Sequence, residues 1–349
     1  AGYATNIPPH NLIEVCDVVI KRIDSPNCHE DSIYEIIKGL DFLIGGIVEG
    51  LDGIKSAFKT GRGKLIVTSK SEFQKNKGKD QIVISEIPFE VNKALLVKKI
   101  DDIRFEKKLD GIAEVRDESD KDSNVRIVID LKPGADKELV LNYLLKNTEL
   151  QTTYNYNMVC IDKRRPRLLG IIPIIDAYID HQKDVILKRT NFDLAFARKE
   201  MHITEGLVKA ISILDEVIAV IRASKNKPDA IENLVKKFDF TTEQATAIVM
   251  LQLYRLTNTD ITVLNEKLEN LRKIIEELTG ILNDESKLKG VIKDELRRMK
   301  KEYGVPRKTE ISETIKEIKI DQTDLITKED VIIVLTNDGY LKRVPIKSH

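Results

Sequence analysis

The side chains able to do chemistry are few and scattered. Five histidines (His10, His29, His181, His202, His349) and three cysteines (Cys16, Cys28, Cys160) show neither metal-ligand nor disulfide-framework spacing, and no nucleophile–base constellation emerges. "RDESDKD" (Arg116 to Asp122) is rich in carboxylates, yet its place between strand-like segments favours a solvated loop over a metal site. "TGRGK" (Thr60 to Lys64) has glycines and a lysine without P-loop spacing, and reads as a helix ending on glycine before a strand. What remains is phosphate chemistry. From Lys59 to Lys79 seven basic residues (Lys59, Arg62, Lys64, Lys70, Lys75, Lys77, Lys79) face one acid, Glu72, and "KRRPR" adds Lys163, Arg164, Arg165 and Arg167. A basic run by itself is a solvated surface as readily as a grip on phosphate, but two of them in a chain of zero net charge point toward phosphate. Few aromatics interleave with them, which favours a duplex backbone over stacking on single-strand bases.

A second feature is apolar. In "ATNIPPHNL" (Ala4 to Leu12) Ile7 stands directly before Pro8 and Pro9, which push it to an extended conformation and stiffen the chain beyond it. Two readings stay open. Ile7 is a hydrophobic staple packed on the first turn of the helix, or a wedge that unstacks a base step and kinks a duplex.

The whole chain sets the frame. At 349 residues it is long enough for two or three domains. Charged residues reach 33%, which favours long solvated helices, while aromatics at 5% imply cores of Leu, Ile and Val. Lys plus Arg equals Asp plus Glu at 57 each, so affinity for nucleic acid must come from local clustering. No apolar run approaches the roughly 18 residues that span a membrane, and no signal peptide is visible, so no membrane partner is expected. With scattered cysteines this indicates a reducing, cytoplasmic setting. The chain starts without Met and reads as a piece of something larger.

The elements follow from periodicity. Pro8 and Pro9 suit a helix start, and Leu12, Val15, Cys16, Val19 and Ile23 recur at helical spacing. Short helices are expected over Ser32 to Lys38 and Leu51 to Lys59. "KLIVTS" and "QIVISEI" read as strands joined by a hairpin at "KNKGKD". A helix at Asn92 to Lys107, strands at "GIAEV" and "VRIVIDL", a helix at Asp136 to Lys146 and a strand at "TYNYNMVCI" complete an α+β domain over 1–165 with a mixed or antiparallel sheet.

From Ile171 onward β signals vanish for about 130 residues, and a second domain is expected over 166–305. Leu264, Leu268, Leu271, Ile275, Leu278 and Leu282 repeat with 4-3-4-3-4 spacing, the seam of a coiled coil. Ile175, Tyr178, Gln182, Val185, Arg189, Phe192 and Phe196 keep the same stride upstream. An antiparallel pair tipped by a helical knob at about 204–257 is expected, its return helix from Asp260 to Lys301 reaching roughly 60 Å. "AIVMLQLYRL" (Ala247 to Leu256) is either knob core or knob surface. A polar linker over 306–328 then leads to 329–349, where strands flank Asn337-Asp338-Gly339 as a hairpin.

These stretches carry a resemblance over nearly the whole length. "GYATNIPPHNL", "AFKTGRGKLIV", "QIVISEIPFEVNKALLVKKI", "GIAEVRDESDKD", "NYNMVCID", "AISILDEVIAVIRAS", "EQATAIVMLQLYRLT" and "EDVIIVLTNDGYLKR" occur in the order found in the A subunits of bacterial type IIA topoisomerases, the gyrase A/topoisomerase IV A family. "GIAEVRDESD", "LQLYRLTNTD" and "DGYLKR" resemble its topoisomerase IV branch, with gyrase A the alternative. The resemblance implies a multidomain α and β protein: an α+β tower beside the DNA gate, an antiparallel coiled coil with a globular dimerising tip, and the start of a β-pinwheel.

The resemblance also implies an ATP-dependent type II DNA topoisomerase, associated with the nucleoid, whose ATP and Mg²⁺ are bound by a partner B subunit, with no cofactor on this chain. Ile7 would intercalate and bend the gate duplex; Arg62, Lys64, Lys70, Arg164 and Arg165 would contact DNA. A homodimer would form through the knob, with Leu251, Leu253, Tyr254 and Leu256 as interface candidates. The family's nucleophile is a Tyr after an Arg, upstream of the "NIPPHN" stretch. None of the nine tyrosines here follows an Arg, so the catalytic Tyr is expected before residue 1 and no catalytic residue is assigned. The family's "GPDFPTGG" is "GLDFLIGG" here (Gly39 to Gly46), and the loss of two prolines leaves this turn's structure open. A rival class is a non-enzymatic coiled-coil scaffold, which shares the dimer but not a bent duplex at Ile7.

Overall fold

A computed structural model describes residues 2–76, 78–121, 124–250, 258–318, 320, 331–337 and 339–345. Its contacts divide the chain into two compact units, Ala1–Ile175 with Lys300–His349, and Asp176–Met299. The architecture is mixed α and β, with several small sheets and one long helix. In chain order it runs α1 (Leu12–Asp24), α2 (Glu30–Tyr34), β1 (Ile47–Glu49), α3 (Leu51–Thr60), β2 (Arg62–Thr68), β3 (Lys70–Asn76), β4 (Lys79–Glu86), α4 (Lys93–Phe105), β5 (Ile112–Asp117) and β6 (Ile127–Leu131). There follow α5 (Lys137–Asn147), β7 (Gln151–Asn157), β8 (Val159–Asp162), β9 (Arg165–Leu168) and α6 (Ile171–Ser212). The remainder is α7 (Leu214–Ala223), α8 (Lys227–Phe238), α9 (Thr242–Met250), α10 (Asn258–Asn283), α11 (Glu285–Tyr303), β10 (Glu310–Ser312), β11 (Val331–Leu335) and β12 (Leu341–Pro345).

Helix α1 starts later than the prolines suggest. Its N-cap is Asn11, whose side chain accepts from the Ile13 and Glu14 N–H groups at 3.0 and 3.3 Å, a cap worth about 1 kcal/mol. Pro8 and Pro9 therefore precede the helix instead of opening its first turn. Ile7 is also too far upstream for a staple, which needs the residue just before the cap. The α2 helix spans Glu30–Tyr34, earlier than the expected Ser32 to Lys38, because His29 caps it.

Two four-stranded sheets organise the first unit. One has the order β10-β1-β2-β7, antiparallel except for the parallel β1–β10 pair. The other, β3-β4-β6-β5, is antiparallel throughout. The expected pairing of "KLIVTS" with "QIVISEI" fails. The first segment ends β2 in one sheet, and the polar "KSEFQKN" becomes β3, the hairpin partner of β4 in the other. Its charges are those of an edge strand, which lysines protect from further pairing. Ile82, Ile84, Ile127 and Ile129 of the sheet bury against Leu96 and Ile100 of α4 and Leu141 and Leu144 of α5. "TYNYNMVCI" also breaks into two strands, because buried Met158 leaves the ladder and donates its N–H to the Gly61 carbonyl.

Residues 306–318, expected within a linker, belong instead to the first unit. Arg307 lies against Glu14 with contacts of 2.7 and 2.6 Å and donates to the Leu40 and Gly39 carbonyls. Asp41 accepts from the N–H groups of Lys308 and Thr309, and β10 adds to β1. This clasp also orders "GLDFLIGG". Phe42 is buried and stacked on Phe89 at 4.9 Å, its N–H bonded to Thr309 Oγ1 at 2.7 Å. Gly45 and Gly46 turn with φ of +79° and +94°, a region L side chains avoid. Leu43 and Ile44, where the family has proline and threonine, are exposed.

In the second unit the expected seam on α10 is half-buried to buried, Leu268 most deeply. On α6 the stripe holds only at its start: Ile175 is buried and Tyr178 and Gln182 half-buried, but further on Ile186, Thr190, Leu194 and Ala197 are buried, whereas Val185, Phe192 and Phe196 are exposed. The return is not one helix either. Asp284 interrupts it, its side chain accepting from the Ser286 N–H at 2.8 Å and so starting α11 afresh. The ion pairs Lys267–Glu200 and Lys183–Glu285 run antiparallel along α6, while Arg189–Glu295 advances in the opposite sense. The 60 Å rod is thus replaced by a shorter α10 followed by a reversal. At the other end α7, α8 and α9 close a small core of Ala210, Val217, Leu234, Phe240, Ala245 and Ile248.

Strands β11 and β12 form the expected hairpin, Leu335 opposite Leu341, with Gly339 at φ +83°; Asp338 lies outside the described residues.

Candidate nucleic-acid interface

The exposed face of one sheet carries two of the seven residues of the basic run. Strand β2 places Arg62 and Lys64 two residues apart, so both side chains share the outer face. Their cross-strand partners on β7 are Asn157 and Asn155, while Leu65 and Tyr154 point to the buried side. Gly61 makes this register possible. It ends α3 at φ +78°, and a Cβ there would lie 2.5 Å from the Leu169 carbonyl oxygen.

Ile7 lies beside the same strand. The segment before it pairs with β7 through two backbone bonds, Asn6 N–H to Asn157 O at 2.8 Å and Asn157 N–H to Asn6 O at 3.0 Å. Asn6 Nδ2 donates to the Asn155 carbonyl at 2.8 Å, and Tyr154 donates its hydroxyl to Asn6 Oδ1 at 2.7 Å. Asn157 Nδ2 reaches the Ala4 carbonyl, and its Oδ1 accepts from Arg62 Nε at 3.4 Å. Ile7 itself is 46% exposed although Pro8 beside it is buried. A β-branched apolar side chain is held in solvent on a fixed base.

His10 secures the far side. Its Nε2 lies 2.9 Å from the Tyr156 hydroxyl, and its ring packs on Phe58 at 5.8 Å. Desolvation pushes its pKa down to about 4 against a favourable hydrogen bond with the Pro8 backbone; nearby Arg307 lowers it further, and Glu14 and Asp41 oppose. Burial also raises the Tyr156 phenol, so the pair is neutral. Asp41 accepts from Asn11 Nδ2, and its N–H donates to the Pro9 carbonyl, both at 2.9 Å.

The other expected contacts are dispersed. Lys70 begins β3 in the second sheet and is ion-paired with Glu310, so its charge is already engaged. Arg164 sits with Lys163 in the two-residue turn between β8 and β9, both at positive φ, as a type I′ turn requires. Arg165 opens β9 and is exposed. Arg167 of the same run pairs with Asp162 at 2.7 Å. Two carboxylates of "RDESDKD" are satisfied locally, Asp117 by Lys93 and Ser119, and Glu118 by Arg116 and Arg126; Asp122 lies outside the described residues. No three His, Cys, Asp or Glu among the described residues gather as a metal site. No helix of the described residues is long and apolar enough to cross a membrane. Leu251, Leu253, Tyr254 and Leu256 lie outside the described residues; of the stretch before them, Ile248 enters the helical core and Met250 is 64% exposed.

Sequence reasoning passes over Asn6, Tyr154, Asn155, Tyr156 and Asn157. The alternation T-Y-N-Y-N carries the signal: aromatics go to one face and amides to the other.

Comparison with known proteins adds an independent line. Residues 1–297 match the family model for the A subunit of DNA gyrase/topoisomerase IV. The chain is 55% identical over all 349 residues to the A subunit of DNA topoisomerase 4 from Bacillus subtilis (strain 168), covering 43% of that protein. The corresponding protein of Streptococcus pneumoniae serotype 4 is 54% identical, again over the full chain and 42% of its own length. That of Staphylococcus epidermidis is 52% identical, with 44% of its length covered. The chain thus spans a little over two fifths of the curated relatives it matches.

Proposed function

The chain belongs to the DNA gyrase/topoisomerase IV A-subunit family, and on that premise we propose that it grips and bends duplex DNA within the breakage–reunion subunit of an ATP-dependent type II topoisomerase. Three relatives named as the A subunit of topoisomerase 4 favour topoisomerase IV over gyrase. The unit holding both four-stranded sheets acts as the tower beside the DNA gate. The second unit is the coiled-coil arm whose helical end joins two copies, and the β11–β12 hairpin begins a pinwheel. Cleavage is assigned to a tyrosine outside these 349 residues. ATP and its Mg²⁺ are assigned to the partner B subunit.

One observation carries the proposal: Ile7 is exposed, pinned to β7, and beside the face that bears Arg62 and Lys64. The cations hold phosphates on one flank while the isoleucine enters a base step. Unstacking costs about a few kcal/mol per step, which backbone contacts along the bent duplex offset. Ile7→Ala keeps the cations and removes the wedge. In the full gene product, end-labelled duplex should remain bound yet lose most of its bend by energy transfer, while Arg62→Ala and Lys64→Ala should each flatten the salt dependence by about one charge. Unchanged bending in Ile7→Ala refutes the wedge and leaves the family assignment standing.

A further inference from the structure

A wedge acts only if its mount is stiffer than the stack it opens. We propose that Tyr154 and Asn6 form a positioning pair that locks the Ile7 arch, an inference that rests on Ile7 being the wedge. The arch is three residues, Ile7-Pro8-Pro9, between two anchors. Upstream, Asn6 has its backbone N–H and C=O bonded to Asn157 and both ends of its side chain bonded to β7. Downstream, the Pro9 carbonyl accepts from Asp41, and His10 meets Tyr156. The prolines fix φ between these points. Nearly half of the Ile7 surface is open to solvent, so the anchors are what resist its being pushed back by a closing base stack.

Within this set Tyr154 is the adjustable member. The backbone bonds persist with any residue but proline at position 6, whereas the Asn6 side chain is oriented by two bonds of opposite sense: its amide donates to a fixed carbonyl, and its oxygen accepts from the Tyr154 hydroxyl at 2.7 Å. That hydroxyl is delivered by a ring at the edge of the core, 5.6 Å from Phe42 in edge-to-face contact. Tyr154 bonds Asn6 from the buried side of the sheet, and so contributes to bending without contacting DNA. Tyr154→Phe retains the ring and its packing and deletes only the donor.

The test measures bending of an end-labelled duplex by energy transfer in the full gene product, on an intact duplex and on one nicked at the wedge step. The nick frees one strand's backbone at that step and so lowers the cost of opening it. Tyr154→Phe should lower the bent-to-straight ratio on intact duplex by about fivefold, the equivalent of one hydrogen bond, and leave the nicked duplex bent as in the parent protein. Asn6→Ala removes this bond and the one to the Asn155 carbonyl, so it should lose at least as much on intact duplex and again leave the nicked duplex bent; the double variant should lose no more than Asn6→Ala alone, since the two changes share the Tyr154–Asn6 bond. An equal loss on both duplexes would mean that Tyr154 merely supports the fold, which overturns the positioning role. So would an unchanged ratio in Tyr154→Phe while Ile7→Ala loses bending. If Ile7→Ala bends DNA normally, the wedge itself is refuted and the mount with it.

Discussion

His10 makes the arch acid-sensitive, and the size of the effect comes from its surroundings. The ring is neutral when folded, with pKa pushed down to about 4 by desolvation, against 6.5 in the open chain. The sign is that of a base whose folded pKa is depressed. Between pH 6.5 and 4 the unfolded chain holds the proton and the folded chain refuses it, so stability is full above about 6.5 and is lost as pH falls. Below about 4 the folded form also protonates and the loss levels off. At about 1.4 kcal/mol per tenfold change, the ceiling is about 3 kcal/mol, and partial solvent access to the ring reduces it to about 2–3 kcal/mol. Carboxylates held low in the fold, such as Asp41 and Asp130, lose stability toward the same acid side, so a difference measurement is needed. His10→Gln offers an acceptor to Tyr156 and does not titrate. Urea unfolding at about pH 7.5, 5.5 and 4.2, followed by hydrogen exchange of the β2 and β7 amides, should show the parent losing about 2–3 kcal/mol more than the variant. Parallel curves for the two proteins would refute the argument.

Two further outcomes test the frame around the arch. Arg307→Ala should destabilise the first unit by about 3–5 kcal/mol in urea unfolding, because Glu14 and the Gly39 and Leu40 carbonyls lose their common donor in a half-buried site. Gly61→Ala should lower stability by at least about 2 kcal/mol, since the residue sits at positive φ and its new methyl meets the Leu169 carbonyl; a loss below about 0.5 kcal/mol would show that the turn relaxes.

Local signals are legible in the sequence. Capping side chains at Asn92 and Asp136 mark helix starts, and the glycine of "TGRGK" ends α3 as expected, whereas Pro8 and Pro9 draw the start of α1 away from its cap at Asn11. What periodicity conceals is the partner. Glu14 and Arg307 are 293 residues apart, and only the fold shows that the stretch after Pro306 closes over α1 and adds β10 to a sheet begun at Ile47. Alternating charge there describes a strand edge and a clasp as well as it describes a linker. The hairpin error has the same origin: "KLIVTS" and "QIVISEI" are both apolar strands, but the rule that neighbours pair gives no weight to the polar strand between them.

The α6 stripe shows how a true period can be assigned to the wrong face. Val185, Arg189, Phe192 and Phe196 keep a coiled-coil stride, yet the buried residues are Ile186, Thr190, Leu194 and Ala197, each one or two positions on. Rotating a helix by one residue, about 100°, exchanges the two faces, and composition does not choose between them when both carry apolar groups. The partner decides. Helices α10 and α11 meet α6 through Lys267, Glu285 and Glu295, on the two sides of the break at Asp284. Ile7 is open to the same ambiguity between staple and wedge. The position of the cap at Asn11 resolves the staple half of it: an isoleucine four residues before a cap cannot reach the first helical turn, so its exposure is a property of the arch and not of a frayed helix end.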